Sequence, residues 1–154
     1  MRETEQSDIA AVSVDDTDRL LMRELVADGR ATLSSLAEKA GLSISAVQSR
    51  VRRLESRKVI QGYSARIDPE ALGLGLSAFV AITPLDPSQP DDAPTRLRHL
   101  PGVVSCHSVA GVESYVLLVR VASPRALERL LQEIRTTASV NTRSTIILQT
   151  FYDE

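Results

Sequence analysis

Apolar residues in the first half of the chain recur at helical spacing. Within DDTDRLLMRELVADG, Leu20, Leu21, Leu25 and Val26 share one face, which predicts a helix beginning at Asp15. Acids at Asp15, Asp16 and Asp18 suit the positive end of its dipole, and Gly29 suits its far end. A second helix is predicted over Leu33 to Ala40, with Thr32 as N-cap and Gly41 just past its C-terminus. A third follows without slack: Ser43 is its N-cap, and Ile44, Val47, Val51 and Leu54 form one stripe through ISAVQSRVRRLESR. Residues 1–13 are polar and aperiodic and read as a flexible arm.

After Lys58 the period changes. VIQGYSARI alternates like a strand until Asp68-Pro69 breaks it, and Gly73 and Gly75 give a flexible entry to the next element. The remainder predicts a strand (Leu76 to Thr83), a helix (Asp92 to Leu100), a strand (Val103 to Val109), a turn (Ala110 to Ser114) and a strand (Tyr115 to Val121). A helix (Pro124 to Thr136, N-cap Ser123) and a strand (Arg143 to Phe151) complete it. The order βαββαβ is the ferredoxin-like arrangement. The predicted class is α+β: a three-helix, winged-helix-like helix-turn-helix domain over residues 14–60, a linker strand and hinge over 61–75, and a ferredoxin-like domain over 76–154.

Composition adds that the chain is globular, with 43% hydrophobic and 25% charged residues among its 154. Aromatics make up only 3% and Trp is absent, so two small cores must be built from aliphatic residues. Such cores are soundest when subunits share them. No run of apolar residues is long enough for a membrane span, and the N-terminus lacks the basic and apolar regions of a secretion signal. The single Cys106 cannot form an intrachain disulfide and fits a reducing compartment, so the expected location is the cytoplasm.

Net charge is only -2, but its distribution is uneven. Arg50, Arg52, Arg53, Arg57 and Lys58 crowd the third helix, opposed there by Glu55 alone. Ala37 is small where two helices must cross, Gly41 can take the left-handed turn conformation, and Val47 fills the angle between helices. The outward face of the third helix then offers short polar groups, an amide and guanidinium forks. Gln48 can bond adenine edges and Arg52 guanine edges bidentately. Arg50, Arg53, Arg57 and Lys58 suit phosphates, which position without specifying. The candidate DNA-binding residues are Ser43, Ser45, Gln48, Ser49, Arg50, Arg52, Arg53 and Arg57. Two such helices in a dimer would favour pseudo-palindromic double-stranded sites.

From Val14 onward, GRATLSSLA, RVRRLE and IQGYSARIDP make the chain resemble the leucine-responsive regulator/AsnC, or feast/famine, family of bacterial and archaeal transcription regulators. The resemblance implies a nucleoid-associated, sequence-specific regulator and a homodimer assembled further, as an octamer built from four dimers, through the C-terminal domains. It also implies an amino acid or related metabolite bound between dimers as effector, with no other cofactor. In that family the hairpin loop of the second domain has Gly followed three residues later by an Asp-Tyr pair and lines the effector pocket. Here Gly111 and Tyr115 match, but Ser114 stands where the acid is usual and Glu113 lies one residue earlier. The candidate effector residues are Gly111, Val112, Glu113, Ser114 and Tyr115.

Other chemistry fails on spacing. Cys106 and His107 are neighbours on a predicted strand and face opposite ways, which disfavours zinc, and no catalytic spacing or membrane partner is expected. Two alternatives to the effector-responsive regulator stay open: an architectural DNA-binding protein without effector, and a metabolite-binding or enzymic module with a vestigial helix-turn-helix.

Overall fold

The computed structural model describes residues 13–88 and 91–152, so the expected N-terminal arm lies, Ser13 apart, outside the described residues. The chain divides between Arg66 and Ile67 into two compact units.

The first unit is three helices, α1 (Asp16–Ala27), α2 (Leu33–Ala40) and α3 (Ile44–Ser56). Each begins where a side chain satisfies an otherwise unpaired N–H. Asp15 and Asp18 bond each other's backbone N–H groups in a capping box, Thr32 accepts from the Ser35 N–H, and Ser43 accepts from the Ala46 N–H. Gly41 takes the left-handed conformation at φ 64°, which turns the chain from α2 into α3. The end of α1 differs from expectation. Asp28, not Gly29, leaves the helix there, its carboxylate accepting the Arg30 N–H at 2.9 Å. Leu21, Leu36, Ala37, Val47 and Val51 form the buried cluster, and Ala37 keeps α2 close to its neighbours.

Leu20 and Leu25 are half-buried, and two stripe residues are exposed. Ile44 is 52% exposed, because side chains lean toward the helix N-terminus and the first residue of α3 projects past its contacts. Val26 is 88% exposed. It edges an open groove of about 840 Å³, lined also by Met22, Leu25, Ile60 and Tyr63. Residues 61–68 carry no regular secondary structure within the single chain. A strand there requires a partner strand to complete its ladder.

The second unit is an antiparallel sheet of β1 (Leu76–Pro84), β2 (Val103–Ser108), β3 (Tyr115–Val121) and β4 (Val140–Ile147) in the order β2-β3-β1-β4. A 3-10 turn, Glu70–Leu72, leads into it. α4 (Ala93–Leu97) and α5 (Pro124–Ala138) belong to the same unit and confirm the βαββαβ order. Ala78, Val80, Ile82, Leu117 and Val119 point into one core with Leu127, Leu130 and Ile134 of α5. Burying each large aliphatic side chain contributes about 1.5–3 kcal/mol. On the other face Phe79 pairs with Leu118 and Ala81 with Val116, and Phe79 is 47% exposed.

Boundaries shift where punctuation was misread. α4 is shorter than expected, ending at Leu97, before a turn at Leu100-Pro101. α5 runs on to Ala138, and Ser139 closes it in the left-handed region at φ 54°. β4 therefore begins at the buried Val140, not Arg143, and ends at Ile147, not Phe151.

Candidate nucleic-acid interface and ligand loop

Because helix neighbours lie three and four residues apart, Ile44, Ser45, Gln48, Ser49 and Arg52 share one face of α3. Ser45, Ser49 and Arg52 are exposed and Gln48 is half-buried at the margin. Ile44, expected in the core, instead adds an apolar group suited to a thymine methyl. Ser43 is committed as the cap, its Oγ 3.2 Å from the Ala46 N and 3.2 Å from Ser45 Oγ.

The basic residues separate into two groups. Arg50 Nη1 donates to Asp15 Oδ2 at 2.6 Å and to Asp18 Oδ1 at 2.9 Å, and Arg53 Nη2 donates to Asp18 Oδ2 at 2.5 Å. Asp18 is fully buried, while the Arg50 and Arg53 side chains keep 30% and 42% of their exposure. The Asp15 carboxyl is held below the usual carboxylate range, first by the Asp18 N–H and then by Arg50. A lowered pKa means that its contribution to stability is present in full above the ordinary carboxylate pKa and is lost as pH falls through the lowered value. Sequence reasoning missed this cluster, because nothing in the period of α1 says that its first turn lies against the middle of α3. Arg52, Arg57 and Lys58 make no side-chain hydrogen bond or ion pair among the described residues.

Lys58 has a further cost. The end of α3 is closed by the Lys58 N–H to Glu55 C=O bond and the Val59 N–H to Leu54 C=O bond, with Lys58 at φ 57° where glycine is usual. A left-handed non-glycine residue costs about 1–2 kcal/mol. Lys58→Gly is accordingly expected to raise the stability of the first unit by about 1 kcal/mol, read as a higher urea midpoint with unchanged slope. No gain would show that the lysine side chain repays its strain within the fold.

In the second unit the β2–β3 loop carries the candidate effector residues. Gly111 has an ordinary backbone, and a Cβ built there meets nothing within 4 Å, so the turn does not require glycine. Val112 is 90% exposed. Glu113 forms an ion pair with Arg143 of β4, so its charge is already matched. The Ser114 N–H donates to Ile82 C=O at 3.1 Å, fixing the loop to the end of β1. The Tyr115 hydroxyl donates to Asp91 Oδ2 at 2.6 Å. That bond, and then burial, raises the Tyr115 pKa. Asp91 was missed in the sequence, hidden in a Pro- and Asp-rich loop. His107 is exposed and Cys106 packs against the core, where burial raises its thiol pKa. Among the described residues no cluster of His, Cys, Asp or Glu could hold a metal ion, and no helix is long and apolar enough to cross a membrane.

Comparisons with known proteins agree with this two-part construction. Residues 14–55 match the AsnC-type helix-turn-helix domain, and residues 77–154 match the Lrp/AsnC ligand binding domain. The chain is 78% identical to the HTH-type transcriptional regulator LrpA of Mycobacterium tuberculosis, over 92% of this chain and 95% of that protein. It is 36% identical to the leucine-responsive regulatory protein of Escherichia coli K12, over 88% and 85%. Among solved structures, the feast or famine regulatory protein of M. tuberculosis complexed with L-methionine is 77% identical, with a TM-score of 0.91 over 92% of this chain and 97% of that one. These relatives are regulators, not enzymes. The chain belongs to the Lrp/AsnC family of sequence-specific, DNA-binding transcriptional regulators.

Proposed function

We propose that this regulator reads DNA with the Ile44, Ser45, Gln48, Ser49 and Arg52 face of α3 and changes its DNA affinity or assembly when an amino acid occupies the β2–β3 loop region. The observation that carries the DNA half is the exposed polar face of α3, with Arg52, Arg57 and Lys58 lacking partners among the described residues. Gln48 and Arg52 supply base-edge bonds, and Arg57 and Lys58 supply phosphate contacts. A homodimer would set two such helices on half-sites about 10 bp apart or a multiple of it. The uncovered Phe79, Leu118 and Val116 face of the sheet supports self-association, because a sheet with one apolar face open needs a second layer. Further assembly into octamers, a hinge over residues 61–75 and a bacterial or archaeal cytoplasmic, nucleoid-associated setting complete the reading.

The effector half rests on the family's ligand domain and on the L-methionine complex of the 77%-identical relative. A zwitterion needs donors for its carboxylate and acceptors for its ammonium, and a loop offers both through its backbone. With Ser114 neutral and Glu113 held by Arg143, the ammonium finds no free carboxylate on the loop itself. Charge-assisted bonds are about twice as strong as neutral ones, so affinity should be modest and Ser114→Asp should raise it. Calorimetry with methionine and leucine on wild type, Gly111→Val and Ser114→Asp tests this. Since Gly111 has open space, valine should leave the fold intact yet weaken binding. Binding unchanged in Gly111→Val would remove the loop from the site, and no binding of any amino acid would favour the architectural alternative.

A further inference from the structure

We propose that Asp18, assisted by Asp15, is the positioning group of the recognition helix, and that Arg50 and Arg53 act on DNA through these acids and not by touching phosphate. The proposal rests on α3 being the DNA-reading element. Its observation is independent of that reading: a fully buried carboxylate at the start of α1 holds two guanidinium groups of α3, one from its middle and one from its last turn.

The geometry is over-determined. Asp18 accepts Arg50 on Oδ1 and Arg53 on Oδ2, and Oδ2 also lies 3.3 Å from the Asp15 N in the capping box. Asp15 in turn accepts the Asp18 N–H and Arg50. Arg50 and Arg53 lie one helical turn apart, so this pair of anchors opposes both sliding and rotation of α3 about its axis. Rotation is what would carry Gln48 and Arg52 away from the base edges, since direct readout depends on bidentate geometry.

Competition by phosphate is unfavourable for a physical reason. If a phosphate drew Arg53 away, the buried Asp18 Oδ2 would keep only the Asp15 N–H at 3.3 Å, and its carboxylate would depend on an Arg50 already shared with Asp15. Losing one of the two charged partners of a buried group costs more than an exposed contact returns. The cluster also nearly cancels its own charge, so the field that α3 offers a duplex comes from Arg52, Arg57 and Lys58. The basic run in the sequence therefore overstates the number of phosphate contacts by two.

The test is fluorescence anisotropy of the full chain on a duplex taken from the DNA upstream of its own gene, the upstream duplex, and on a random duplex of equal length, across a salt series. A phosphate contact, as expected at Arg57, should on replacement by alanine flatten the log affinity against log salt slope by about 0.9. Arg53→Gln should lower affinity for the upstream duplex about tenfold or more, leave the salt slope unchanged and change random-duplex affinity far less. Arg53→Lys, which can renew one charged bond to Asp18, should recover much of the preference. Asp18→Asn should also lose preference, although removing a negative charge by itself would favour any DNA. A slope flattened by about one in Arg53→Gln, or preference retained in either Arg53→Gln or Asp18→Asn, would overturn the proposal. Parallel losses on both duplexes would also overturn it, marking a merely structural role. Absence of any preference in the wild type is a different result, and would defeat the DNA-reading assignment of α3 itself.

Discussion

Replacing Gly102 by valine is expected to destabilise the second unit by about 2–6 kcal/mol, while the same replacement at Gly111 should leave it nearly unchanged. Gly102 lies between α4 and β2 with φ 95°, a backbone that β-branched residues rarely adopt. Its carbonyl accepts the Arg120 N–H at 2.8 Å, which ties the residue to β3 and prevents the backbone from relaxing to a commoner conformation. A Cβ there would meet Leu130 Cδ2 at 3.0 Å, the Arg120 carbonyl oxygen at 3.2 Å and Val121 Cγ1 at 3.4 Å. Leu130 could yield by changing rotamer, but the Arg120 carbonyl belongs to the β2–β3 side of the sheet and cannot. Backbone strain of about 1–3 kcal/mol and overpacking of similar size then add on one site. Gly111 has neither problem, since its φ is ordinary and its surroundings are open. Urea unfolding of both variants gives the comparison. A Gly102→Val midpoint equal to that of the wild type would mean that the strand entry is more plastic than its hydrogen bond implies.

Much of this structure was legible because the chain is punctuated by residues with one physical job. Thr32, Ser43 and Ser123 each cap a helix through a side-chain oxygen, and Gly41 takes the left-handed turn. The α5 stripe of Leu127, Leu130 and Ile134 faces the sheet as its period requires. What the pattern could not supply was anything set by contact between distant elements. Ile44 fits the stripe of α3 but sits at its first turn, beyond the reach of α2. β4 is an edge strand with Asn141, Arg143, Ser144 and Thr145 exposed, so its alternation is too weak to mark its start. In the candidate sites the same limit appears. The outward residues of α3 follow from helical geometry alone, whereas the capture of Arg50 and Arg53 by Asp15 and Asp18 depends on a separation of more than thirty positions along the chain. The pairs Glu113 with Arg143 and Tyr115 with Asp91 are likewise tertiary.

The second large effect concerns base reading, and its measurement bears on the assignment of α3 more directly than any other. Gln48 and Arg52 lie on one helical face, four residues apart, so they can address neighbouring base pairs from one helix in the major groove. Each lost bidentate contact should cost about 1–3 kcal/mol, roughly 5- to 150-fold in affinity, and should do so at one operator position. The measurement is the affinity of wild type, Gln48→Ala and Arg52→Ala for the upstream duplex and for every single base-pair substitution within it, at fixed salt. The expected result is that each variant loses discrimination at one symmetry-related pair of positions and keeps it elsewhere. Identical base preferences in all three proteins would contradict DNA reading by this face of α3.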